Sequence, residues 1–129
     1  MNLGKFIGIP FVNGGRDVRT GLDCWGLAMK VFEAYGVALP DFTVDAFAFE
    51  KISELAGKSI MSRQWEEVYA PANKDVPLVV LMRMHPALIT HAGVYIGDGR
   101  IIHTMESTDS VISKVGRLKN TIVGYYRPC

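Results

Sequence analysis

The feature that most limits how this chain can fold is the tripeptide Gly97-Asp98-Gly99. Glycine and aspartate form turns, and here they separate two apolar runs of strand character, 92–96 and 100–105. Such a segment folds back as an antiparallel hairpin. The length of its turn decides which side chains share a face, because a slip of one residue turns every side chain over. A two-residue Asp98-Gly99 turn would set Val94 opposite His103 and point His91 to the other face. A three-residue loop with a left-handed Gly99 would set Gly93 opposite His103 and His91 opposite Met105. The two histidines would then be diagonal neighbours on one face. The three-residue loop, or an equivalent bulge, is the expectation.

Around this hairpin the pattern predicts more strands. Residues 78–84 form an apolar run, and 111–115 and 121–126 are weaker candidates. The first half of the chain is different. Residues 4–20 are loop-like, with Gly8, Pro10, Gly14 and Gly15 and the charges Arg16, Asp17 and Arg19. Cys24, Leu27, Ala28, Val31 and Tyr35 then recur at helical spacing. Asp23 stands where an N-cap belongs, and Gly36 where a C-cap glycine belongs. A second helix is expected over 44–55, followed by a mixed segment, 58–77, in which Trp65 anchors to the core. Helices first and an antiparallel sheet afterwards make an α+β fold.

A chain of 129 residues suits one domain, 1–129, with one core. Apolar residues make up 49% and charged residues 21%, an ordinary globular balance. Fourteen basic and thirteen acidic residues leave a formal charge of +1, which gives no footprint for nucleic acid. No apolar run is long enough for a signal peptide or a membrane span, so the expectation is a chain made in the cytoplasm with no membrane insertion. Two cysteines, Cys24 and Cys129, do not make a disulfide framework.

The chemistry-bearing residues are few. Cys24 falls in the first turn of the predicted helix, where outward N–H groups favour a thiolate. A thiol so placed can titrate as low as roughly 3.5–7.5. A buried core cysteine is the plainer alternative. His91 opens one strand and His103 lies in the next; alone, each reads more readily as a half-buried structural histidine. Together, His91 can take the Cys24 proton and return it to a leaving amine, while His103 holds the far nitrogen of His91. The Cys24 N–H is a candidate oxyanion donor. A zinc site built from the same three side chains is a further alternative, though neither a His-Glu-x-x-His nor a Cys-x-x-Cys motif is present.

The segments Pro10-Phe11-Val12-Asn13-Gly14-Gly15, Asp23-Cys24-Trp25-Gly26-Leu27, His91-Ala92-Gly93-Val94-Tyr95 and Ile102-His103 together resemble the NlpC/P60 family of papain-like cell-wall peptidases. The resemblance runs over nearly the whole chain. It implies a papain-like fold, catalysis by Cys24, His91 and His103, a substrate site involving Phe11, Asp23, Trp25 and Gly93, and no cofactor. It implies cleavage of amide bonds in peptidoglycan stem peptides beside D-γ-glutamyl linkages. Trp25 has a second explanation as a helix-face aromatic packed on the sheet. Phe11 stands where the family has a tyrosine, so a hydroxyl is missing. Trp25 after the cysteine, Leu39-Pro40-Asp41, and the ending Ile122-Val123-Gly124-Tyr125-Tyr126-Arg127 are similar to the phage-tail branch of the family. That branch implies tail-tip proteins as partners and the virion tail or cell wall as destination. The competing expectation is a structural tail-tip protein with weak or no catalysis.

Overall fold

The computed structural model describes residues 3–41, 65–83, 89, 91–105 and 108–128. The expected helix over 44–55, and His85 and Cys129, lie outside the described residues.

A short hairpin comes first, β1 (Arg16–Asp17) with β2 (Gly21–Leu22). It leads directly into helix α1 (Cys24–Ala34). Strand β3 (Trp65–Glu67) follows, then β4 (Leu78–Met82), β5 (His91–Tyr95), β6 (Arg100–Met105) and β7 (Thr108–Lys114). The one-turn helix α2 (Val115–Leu118) and strand β8 (Ile122–Pro128) close the described chain. Among the described residues β3 to β8 form one six-stranded sheet in the order β3-β8-β4-β5-β6-β7, with every pair antiparallel. Strands β4 to β7 are a meander, and β8 returns to the free side of β4. The strand β3 falls in the segment read as mixed, since three residues carry too little pattern to declare themselves.

Helix α1 begins and ends as its sequence requires. The Asp23 carboxylate accepts from the Gly26 N–H, which satisfies one of the donors left over at a helix start. At the other end Gly36 takes φ +82°. Its N–H donates to Glu33 O, and the Val37 N–H donates to Phe32 O. This pair of bonds is the Schellman closure that glycine permits at low cost.

The central strands β4 and β5 are buried on both faces, which is why 78–82 and 92–96 read as apolar runs. Alternate residues serve two cores. Val79, Val94 and Ile102 pack with Leu27, Ala28, Val31 and Phe32 of α1. Leu78, Val80, Met82, Tyr95 and Ile101 form the second core, covered by Val68, Val76, Val115, Leu118, Ile122 and Tyr125. Gly93 and His103 pair across the sheet in register with this second set. No helix among the described residues is long and apolar enough to cross a membrane.

Candidate active site

The hairpin β5–β6 takes the longer of the two turns. Gly93 pairs with His103, Val94 with Ile102 and Tyr95 with Ile101. Ile96 N donates to Arg100 O and Arg100 N to Gly97 O, so residues 97–99 are the loop. All three are left-handed: φ is +90° at Gly97, +53° at Asp98 and +65° at Gly99. A positive φ at aspartate needs support, and Asn73 supplies it. Its side-chain amide donates to Asp98 Oδ1 at 2.8 Å, and its oxygen accepts from the Asp98 N–H at 2.8 Å.

This register brings the two imidazoles together. His91 Nε2 and His103 Nδ1 lie 2.9 Å apart, with the rings edge to face. His103 Nε2 lies 2.9 Å from Ser113 Oγ. Both histidines are buried. The bond to His103 uses one nitrogen of His91 and leaves Nδ1 outside it. Gly93 makes the approach possible: a Cβ there would stand 3.0 Å from His103 Cβ and 2.8 Å from Ile101 Cγ2. The space that Gly93 leaves is thus taken by the protein's own side chains.

Cys24 is the first residue of α1, and the helix packs against β5 and β6. The residue keeps partial exposure. Its sulfur receives backbone hydrogen bonds from Ala92, next to His91, and from Trp25. The expectation of an acidic thiol does not hold. Burial of the sulfur pushes the thiol up to about 11, outweighing the amides, and the Asp23 charge adds to the rise. Burial likewise pushes His91 down to about 3, with His103 contributing, and burial lowers His103. All three groups are therefore neutral near pH 7.

The other expected substrate residues are placed as follows. Asp23 is buried, and its carboxylate accepts from Gly26 N at 2.7 Å, Gly14 N at 3.2 Å and Arg16 Nη1 at 2.7 Å. That carboxylate holds the loop to the helix rather than facing outward. Arg16 Nε also donates to Asp41, at 3.0 Å. Trp25 donates from Nε1 to Pro40 O at 2.8 Å and meets Trp65 edge to face. These two contacts hold the ring against its own chain. Phe11 forms an isolated bridge with Leu22, two residues before the cysteine, and stays partly exposed. A Cβ on Gly26 would collide with the Gly15 carbonyl, so this glycine too accommodates the chain itself. Among the described residues no cluster of three His, Cys, Asp or Glu side chains has the geometry to hold a metal. Ser113 and Asn73 were not foreseen.

Residues 8–125 match the model of the NlpC/P60 family. The chain is 34% identical over 113 residues to a γ-DL-glutamyl hydrolase of Bacillus subtilis, covering 84% of this chain and 23% of that protein. It is 31% identical over 107 residues to the bifunctional muramidase/DL-endopeptidase CwlT of the same organism, covering 80% of this chain and 27% of that one. The chain thus spans about a quarter of the length of these relatives. Its fold superposes on the NlpC/P60 domain of the peptidoglycan hydrolase SagA with a TM-score of 0.60 at 21% identity, over 96% of this chain and 91% of that one. With a family model matching 118 of its 129 residues, the chain belongs to the NlpC/P60 family.

Proposed function

We propose that the protein is a cysteine hydrolase that cleaves amide bonds of peptidoglycan stem peptides, at D-γ-glutamyl linkages. The observation that carries this is the hydrogen bond between His91 Nε2 and His103 Nδ1, which leaves His91 Nδ1 to serve as a base. The relatives named for γ-DL-glutamyl and DL-endopeptidase activity support the choice of bond.

The chemistry starts from a neutral pair. The Cys24 S–H proton passes to His91 Nδ1 as sulfur attacks the carbonyl carbon, so no standing ion pair is required. The Cys24 N–H, at the first helical position, has no acceptor within the helix and faces the developing oxyanion. The imidazolium then gives its proton to the departing amine, leaving a Cys24 thioester. Water attacks that thioester with His91 again taking a proton, and a carboxylate and the free thiol result. His103 accepts from His91 Nε2–H throughout and holds the ring. No cofactor enters.

The same proposal includes a setting in a phage tail. Its support is sequence resemblance alone: Trp25 after the cysteine, the Leu39-Pro40-Asp41 segment and the ending Ile122-Val123-Gly124-Tyr125-Tyr126-Arg127. A purely structural tail-tip role is favoured only by Phe11 in place of a tyrosine. Incubating purified cell walls with the wild type and with Cys24→Ala tests the hydrolase. The expected result is new amine termini and released D-glutamyl peptides with the wild type alone. Equal, background release by both proteins would select the structural role.

A further inference from the structure

A chain of polar side chains crosses three adjacent strands, from His91 on β5 through His103 on β6 to Ser113 on β7, with both links at 2.9 Å. A neutral imidazole carries one N–H and one bare nitrogen. If His91 is to take a proton at Nδ1, its own proton must sit on Nε2. That N–H then needs His103 Nδ1 bare. The His103 proton is consequently on Nε2, where it needs an acceptor in a buried setting. Ser113 Oγ is the atom in that position. The reverse order, with Ser113 donating to His103 Nε2, would place a proton on His91 Nδ1 and remove the base.

Resting on the reading of His91 as base, we propose that Ser113 is a positioning residue: its hydroxyl accepts from His103 Nε2–H and locks both histidines in the tautomer that leaves His91 Nδ1 bare. Ser113 touches neither Cys24 nor a substrate amide in this scheme. Its effect travels through two hydrogen bonds, and each bond selects the next proton position. Ser113 is half-buried at the diagonal position from His103, since Ile101 pairs with Ser113 and His103 with Val111. It is therefore aligned by the strands themselves.

The test uses the full chain with ¹⁵N-labelled histidine. Ser113→Thr and Ser113→Val have the same shape on a strand and differ in the hydroxyl; Ser113→Ala repeats the deletion with a smaller side chain. The ¹⁵N shifts of each ring report its tautomer, assigned with His91→Gln and His103→Gln. Wild type and Ser113→Thr are expected to hold both rings as Nε2–H. Ser113→Val and Ser113→Ala are expected to show a mixture at His103 and to lower kcat about 3- to 10-fold on a soluble muropeptide, as for one hydrogen bond, with KM unchanged. Restoration of kcat in Ser113→Thr is part of the expected result. A wild type with Nδ1–H on His91, or deletion variants with unaltered tautomers and kcat, would overturn the proposal. The tautomer reading needs no turnover. An inactive wild type whose tautomers depend on Ser113 would overturn the hydrolase reading and leave the positioning role. An active wild type whose tautomers ignore Ser113 would do the reverse.

Discussion

A thiol held near 11 and an imidazole held near 3 both rest neutral near pH 7, and in the proposed mechanism they exchange a proton only when a substrate arrives. The consequence is measurable at Cys24 alone. Alkylation by iodoacetamide, followed by mass spectrometry of the Cys24 peptide, is expected to accelerate about tenfold per pH unit from pH 7 to 10. A rate that levels off below pH 7 would indicate a standing thiolate instead. The helix N-terminus does favour the anion, but the enclosure of the sulfur costs more than the two amides return. Position on a helix was legible in the sequence; enclosure was not, because it depends on what β5 brings against the helix start. Phe11 makes a second case at this scale. Restoring a hydroxyl with Phe11→Tyr is expected to raise kcat on muropeptides by about 10-fold or more. The deletion of one oxyanion donor costs roughly 100- to 1000-fold in other acyl-transfer sites. An unchanged kcat would mean that the ring at position 11 does not reach the reacting carbonyl.

Elements decide what the residues can meet. The β5–β6 register follows from the three-residue loop, and a glycine on each side of Asp98 made that loop readable. Asn73, which pins the loop from a distant segment, carries no local signal of that role. The β6–β7 pairing is less accessible still. Near the turn Met105 pairs with Thr108, but beyond an irregularity His103 pairs with Val111. Counting from the turn without that shift would set His103 opposite Ser110 and turn Ser113 to the other face. One irregular step in the ladder therefore places Ser113 beside His103, and nothing in the sequence announces it. The helix, by contrast, announces both its ends, through Asp23 and Gly36. The same strand β7 also anchors the start of the chain. Ser110 Oγ accepts from Ile9 N at 2.8 Å and donates to Phe6 O, while the Ser110 main chain pairs with Gly8 and Ile9. The pairing covers an edge that would otherwise offer open donors and acceptors. Ser110→Ala leaves two buried main-chain groups unmatched and is expected to cost about 1–3 kcal/mol in urea unfolding. A loss below about 0.5 kcal/mol would show that the segment's own backbone pairing suffices.

At the scale of the whole molecule, the buried histidine pair also sets how the fold responds to acid. In the unfolded chain His91 titrates at its ordinary value of 6.5, whereas in the folded chain burial and the neighbouring His103 hold it down at about 3. Above pH 6.5 both states leave the ring neutral, and it contributes no pH dependence. As pH falls from 6.5 toward 3, the unfolded chain binds the proton and the folded chain does not. Stability therefore declines with acidification, by about 1.4 kcal/mol per pH unit for such a group, and the decline ends once the folded ring also protonates. His103 acts in the same direction because its ring is lowered too. Carboxylates held by cations, such as Asp17 beside Arg19, add their losses only in the more acidic range around and below their ordinary value of 3.8. A decline that already begins near pH 6.5 is thus the mark of the histidine pair. Thermal unfolding of the wild type is expected to lose roughly 2–3 kcal/mol between pH 6.5 and 4.5, a fall in Tm of roughly 10 °C. His91→Gln removes one of the two rings and is expected to flatten that part of the profile, even where it lowers Tm at pH 7. A wild-type Tm that stays level down to pH 4.5 would place both imidazoles in contact with solvent.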